Sequence, residues 1–306
     1  MASSKTNMIA FLWLVLSQCM IAVNIVYTKK LLPVMQPYSI LFFRFLIGFI
    51  VLIMIQLLIK PKAIAIIKKQ TKPDWLAIFL QAITAGALFN VFMIIGLHHT
   101  TASMAGMIGS ALPAIVVLLS IIVLRVKITW SMIVCVTLAV LGLIVMHVSG
   151  DKAGPFQWFG NVMILLSLVA DGLYYILTKR LPVKMPIFLL SAILNMINIP
   201  LMLLLALGHH DFITFNMPLH QWCYLFMVGL SVAGFYVFWF LGCGRVHGIA
   251  VGLSTAVMPV ATIWLAFVLL GEQVHIWQIL GMCIVLCSIV VNAAFQKKSS
   301  KVQSHS

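Results

Sequence analysis

The sequence predicts an all-α membrane protein of ten transmembrane helices, folded as two inverted five-helix repeats. Three observations carry that expectation. Of 306 residues, 63% are hydrophobic and only 8% are charged, and the mean hydropathy is +1.17. A soluble domain is nearer half apolar and a quarter charged. The apolar residues fall into ten stretches, each near the roughly 20 residues a helix needs to cross a bilayer. The second half of the chain also overlays the first without a gap for about 50 residues at a shift of 146. The net charge of +14 does not mark a nucleic-acid binder, because the basic residues sit in short breaks between apolar runs.

Taken in order, the first set of spans runs over Met8–Tyr27, Tyr38–Ile59, Trp75–Leu97, Thr101–Leu124 and Trp130–Val148. The second runs over Trp158–Leu177, Pro186–Leu207, Gln221–Cys243, Gly248–Leu270 and Ile276–Phe295. The first run ends in Lys29-Lys30 with no small-x-small cleavage site, so it reads as a retained span rather than a signal peptide. Short connections make neighbouring spans antiparallel. The expected division is a first repeat over 1–150, a second over 151–295, and a polar cytoplasmic tail over 296–306. Loop charges set the orientation. With both termini inside, fifteen Lys and Arg lie on the cytoplasmic side against three outside, and Arg44 lies within a span.

The repeat preserves particular residues. Phe89, Val91, Phe92 and Gly96 fall on Phe235, Val237, Phe238 and Gly242. Gly106 falls on Gly252 and Pro113 on Pro259, while a shift of 150 brings Ser17 onto Ser167. Five helices per half is an odd number, so the second copy enters the membrane upside down. Such repeats bind substrate near the midplane between the copies. Ala102, Gly106 and Ser110 recur every four residues, as do Gly248, Gly252 and Ala256, giving smooth faces for close backbone approach. A proline three residues later frees a carbonyl and permits a bend. Gly106, Gly252, Pro113 and Pro259 are therefore candidate bending and gating residues.

Arg44 in Phe43-Arg44-Phe45, the paired prolines, Gly271-Glu272 after the ninth span and the two-half architecture resemble the EamA branch of the drug/metabolite transporter superfamily. The resemblance covers nearly the whole chain. It implies a secondary carrier for metabolites or drugs, often amino acids and their derivatives, in a bacterial cell inner membrane. One departure stands out. Arg125-Val126-Lys127 follows the fourth span, where the family carries a second Gly-Glu pair.

Two charges inside spans are the first candidates for substrate binding, because burying a charge in hydrocarbon is costly without a purpose. They are Arg44 and Asp171, at depths that differ by roughly 10 Å from the helix rise. Neither has a charged counterpart in the other half: Asp171 falls on Ile21 and Arg44 on Leu194. A substrate with both a carboxylate and a cation, such as an amino acid or S-adenosylmethionine, would engage both. A structural charge pair is the competing reading. Asn24, Tyr174, Tyr175, Asn90, Tyr236 and Trp239 add polar and aromatic groups suited to planar or cationic ligands. Seven histidines cluster at the expected outer face, where a structural reading is preferred to proton sensing.

Other classes fit less well. The six cysteines lie in apolar stretches without a His or acid to complete a metal set. There is no His-Glu-x-x-His run and no Gly-x-x-x-x-Gly-Lys loop, so neither zinc proteolysis nor nucleotide-driven pumping is expected. Ser110 has no convincing His partner for a nucleophilic dyad. No span is polar enough for a channel filter. The chain is thus expected to need no metal or cofactor, to have a small molecule and the lipid bilayer as partners, and to act as a monomer or homodimer.

Overall fold

A computed structural model describes residues 2–126, 128–148, 155–209, 217–243 and 254–303. No strand occurs among the described residues. In chain order the helices are α1 Ala2–Leu31, α2 Pro37–Ile59, α3 Lys72–Gln81, α4 Phe89–His99, α5 Ala102–Gly109, α6 Leu112–Leu124, α7 Trp130–Val148, α8 Pro155–Arg180, α9 Ile187–Gly208, α10 Leu219–Cys243, α11 Val257–Leu270 and α12 Ile276–Gln303. A 3-10 helix over Pro61–Lys69 precedes α3, and a π-helical segment over Ala82–Leu88 joins α3 to α4.

Local chemistry accounts for the boundaries. Pro37 opens α2, where its missing N–H is one the helix could not use anyway. Thr71 and Asp74 form a capping box at α3: the Thr71 N–H donates to Asp74 Oδ2 at 2.9 Å, and the Asp74 N–H donates to Thr71 Oγ1. α6 and α11 end alike. Arg125 and Gly271, 146 residues apart, both take the left-handed conformation, at φ 52° and 67°. The Val126 N–H then donates to Ser120 O, and the Glu272 N–H to Ala266 O. Those donors and acceptors also correspond at a shift of 146, so one helix-ending motif occurs twice.

Among the described residues, six helices are long and apolar enough to cross a membrane: Met8–Leu31, Pro37–Ile59, Lys72–His99, Gln157–Arg180, Ile187–Gly208 and Leu219–Gly242. The expected fourth span is a broken one, with α5 and α6 meeting at 45°. Pro113 near the start of α6 withholds the N–H that Gly109 O would accept. The Ser110 and Ala111 N–H groups turn instead to Met107 and Ile108, three residues back, tightening the last turn of α5. Trp130–Met146, Val257–Leu270 and Ile276–Ser288 are shorter apolar helices. The first part of the expected ninth span, with Gly248 and Gly252, lies outside the described residues.

The helices pack in matched pairs. α1 lies along α10 as α8 lies along α4, and α2 packs on α9, α5 on α11 and α7 on α12. Small residues set the closest crossings. A Cβ on Gly96 would meet Gly160 O at 2.8 Å, and one on Gly242 would meet Ala10 O at 2.7 Å. At α7 and α12, a Cβ on Gly142 would meet Gly281 O at 2.6 Å. The buried hydroxyls of Ser17, Ser167, Ser231 and Ser288 donate to carbonyls three residues back, which satisfies each O–H within its own helix. Many large apolar side chains, among them Leu58, Trp130 and Leu219, are exposed around the bundle, as hydrocarbon-facing surface requires.

Candidate functional site

Arg44 and Asp171 come from α2 and α8, and α10 supplies the group that links them. Tyr236 interacts electrostatically with both Arg44 and Asp171, and its hydroxyl is hydrogen-bonded to Ser191 on α9. Tyr174, one turn beyond Asp171 on α8, interacts with both Asp171 and Tyr236. Four of the sequence candidates, Arg44, Asp171, Tyr174 and Tyr236, thus form one cluster where α2, α8, α9 and α10 converge. The two charges are not a direct pair: the electrostatic partner of Arg44 is the Tyr236 phenol.

Arg44 is held but not saturated. Its guanidinium carbon lies 5.4 Å from the Phe45 ring centroid, and its Nε is buried with no hydrogen-bond partner. An arginine offers five donors in a rigid fork suited to carboxylate or phosphate. One turn along α2, Gly48 leaves room for Asn195 of α9, whose Oδ1 lies 3.0 Å from where a Cβ on that glycine would stand. The cluster therefore combines one cation with an open donor, one carboxylate and a phenol that interacts electrostatically with both.

The remaining candidates lie elsewhere. Asn24 ties α1 to α10, donating through Nδ2 to Val228 O at 3.1 Å and Ser231 Oγ at 3.0 Å. Asn90 is committed to the π segment, donating to Gly86 O at 2.6 Å and Ala85 O at 3.2 Å. Trp239 stacks on Phe235 with centroids 5.8 Å apart. Tyr175 is exposed, its ring edge toward Tyr174. Gly106 faces Thr262 of α11, and Pro259 is buried in α11.

The sequence reading missed a polar stripe on α9. Ser191, Asn195 and Asn198 are all buried and recur at intervals of four and three, one face of a helix. Asn198 donates to Ala82 O in the π segment at 3.1 Å and to Leu194 O at 2.8 Å, while its Oδ1 is buried without a partner. The signal was available as helix-spaced polar residues inside an apolar span. Among the described residues, no three His, Cys, Asp or Glu side chains gather as a metal site. A shallow apolar groove lined by Ile47, Trp222, Cys223, Phe226 and Met227 has almost no polar surface.

Comparison with known proteins agrees with this architecture. The model of the EamA-like transporter family matches twice, over residues 8–148 and 158–294. The uncharacterized transporter YetK of Bacillus subtilis (strain 168) is 25% identical over 96% of this chain and 89% of its own. The uncharacterized transporter YcxC of the same organism is 24% identical over 95% of each. The uncharacterized transporter sll1164 of Synechocystis is 22% identical over 77% of this chain and 70% of its own. One solved crystal structure superposes with a TM-score of 0.63 over 96% of this chain and 98% of that one, at 18% identity, a likeness of fold.

Proposed function

We propose that this chain, which belongs to the EamA-like transporter family, is a secondary carrier that moves a small zwitterionic metabolite by alternating access between two inverted repeats. It is a transporter and an integral membrane protein; the substrate and the cycle are the proposal. The observation that carries it is Tyr236, which interacts electrostatically with both Arg44 and Asp171. A substrate that replaces the phenol between them would offer a carboxylate to Arg44 and a cation to Asp171. An amino acid, or a derivative such as S-adenosylmethionine, has that pattern. The stacked Phe235 and Trp239 favour a second reading, export of an amine or cationic drug held against aromatic faces.

The repeats would cover 1–150 and 151–295, with a tail over 296–306. The packing supports an exchange of halves: it turns the α1–α10 pair into α8–α4 and leaves α2–α9, α5–α11 and α7–α12 as themselves. The six long helices, the bent pair and the three shorter apolar helices would give ten crossings. The lysine and arginine bias supports both termini in the cytoplasm, and the Bacillus relatives support a bacterial cell membrane.

The test is uptake of a labelled panel of amino acids, S-adenosylmethionine, nucleosides and simple amines. Cells expressing wild type are compared with Asp171→Asn and Arg44→Gln, and preloaded cells measure export. Accumulation of a zwitterion that both variants abolish, at normal expression, supports the reading. Transport indifferent to both variants retires the site. Asp171 is also the proposed carrier of a coupling proton. Asp171→Asn should uncouple residual transport from a pH gradient, and an unchanged dependence would exclude that role.

A further inference from the structure

The turn between α4 and α5 is clasped from three directions. From α1, Lys29 Nζ donates to Leu97 O at 2.6 Å and Thr100 O at 2.7 Å, occupying carbonyls at the open end of α4. From α8, the buried Asn161 accepts through Oδ1 from Thr100 Oγ1 at 2.7 Å. From the loop between α11 and α12, Glu272 accepts through Oε1 from the Ala102 N–H and through Oε2 from the Ser103 N–H, both at 2.8 Å. Charge is matched at each contact: a cation caps a helix C-terminus and a carboxylate caps a helix N-terminus. Lys29 and Glu272 also attract one another. Four charge-assisted hydrogen bonds therefore converge on a two-residue turn, and Glu272 brings its pair from 170 residues away in sequence.

The opposite end of the bundle lacks this set in its sequence. At a shift of 146 Glu272 corresponds to Val126, Thr100 to Val246 and Thr101 to His247. At a shift of 150 Asn161 corresponds to Phe11, and only Lys29 keeps its charge, as Lys179. Lys179 is exposed. The helix-ending motif that presents Glu272 is repeated at Arg125-Val126. The backbone that would present an acid is present at both ends, and the carboxylate is at one.

We propose that Lys29, Asn161 and Glu272 form a one-sided latch on the α4–α5 turn that holds shut the end of the bundle where α1 finishes. They are positioning residues for transport, acting on the turn and not on the substrate. This rests on the carrier reading above, under whose orientation the latched end is the outer one. Without its counterpart at the other end, the two half-cycles are unequal: the resting carrier is closed outside, and releasing the latch is the slow step. The departure from the family's second Gly-Glu pair thus falls where it makes the carrier asymmetric.

The test needs no substrate. Ser103 is buried, with a side-chain hydroxyl that makes no hydrogen bond. Ser103→Cys in a background with the six native cysteines replaced reports opening of the turn to a membrane-impermeant maleimide. Labelling should be slow with Glu272 intact and roughly tenfold faster in Glu272→Ala, as loss of about 1.4 kcal/mol of hydrogen bonding implies. Lys29→Met should raise the rate, and Glu272→Gln, which keeps one acceptor, should fall between. An unchanged rate in Glu272→Ala and Lys29→Met variants that elute as the parent protein does would overturn the latch. Glu272→Gln matching Glu272→Ala while both aggregate, with Lys29→Met unchanged, would overturn it equally, since the acid would then act on folding alone. Labelling in intact cells supports the outer assignment. Acceleration seen only in inside-out vesicles supports the latch and overturns the orientation.

Discussion

Gly86→Ala should destabilise the bundle, although the same change in an ordinary helix gains about 1 kcal/mol. The added methyl would fall on Asn198 Nδ2, with Asn198 Cγ at 2.6 Å and Oδ1 at 2.8 Å from it. Asn198 is fully buried and cannot swing into open space. To yield, its amide must release Ala82 O and Leu194 O, each bond worth about 1 kcal/mol net, or α9 must back away from the π segment at about 1–3 kcal/mol for overpacking. After the propensity gain the expected net loss is about 1 kcal/mol, or roughly fivefold in the folding equilibrium. A reversible SDS titration followed by circular dichroism measures it. The decisive arm is the double-mutant cycle. In an Asn198→Ala background the obstacle is gone, so Gly86→Ala should be neutral or stabilising, with a coupling of about 2 kcal/mol between the sites. Additivity within about 0.5 kcal/mol would refute the clash and the part assigned to Asn198.

Other expectations follow from the same geometry. Arg125→Gly should stabilise by about 0.5–1 kcal/mol in the same titration, because glycine relieves the left-handed backbone that Arg125 occupies at φ 52°. Gly271→Ala should cost about 1 kcal/mol for the converse reason; equal effects of opposite sign would identify the cap as their source. Gly281→Val should cost about 1–3 kcal/mol, since a side chain there meets Gly142 O and the Met146 backbone N, which cannot rotate aside. The Pro113→Ala, Pro259→Ala double variant should slow transport of whichever panel compound the wild type accumulates. Unaltered transport would remove bending at the paired prolines from the cycle.

Composition and span-length runs made the all-helical membrane fold legible before any coordinates, because hydrocarbon demands both. Arg44 and Asp171 stood out for the same reason, as charges where charges are costly. The link through Tyr236 was not legible, since it depends on how α10 meets α2, α8 and α9. Asn90 shows the limit of judging residues by type. Its amide looked available for substrate, yet it serves the carbonyls of the π segment, and Ala82–Leu88 contains no proline to announce that irregularity. Pro113 did announce the break between α5 and α6. Glu272 was visible as a family motif, but its hold on the α5 N–H groups joins positions 170 residues apart, which spacing along the chain cannot reveal.

Synthesis reaches Gly142 139 residues before Gly281, so at about 5–20 residues per second the ribosome delivers the second glycine roughly 7–30 s after the first. Throughout that interval α7 has no α12 to fill the notch at Gly142. The helix that seats there is α12, so this crossing closes only once α12 has been made. A chain truncated before α12 would keep α7 against α6 but leave the notch at Gly142 unfilled.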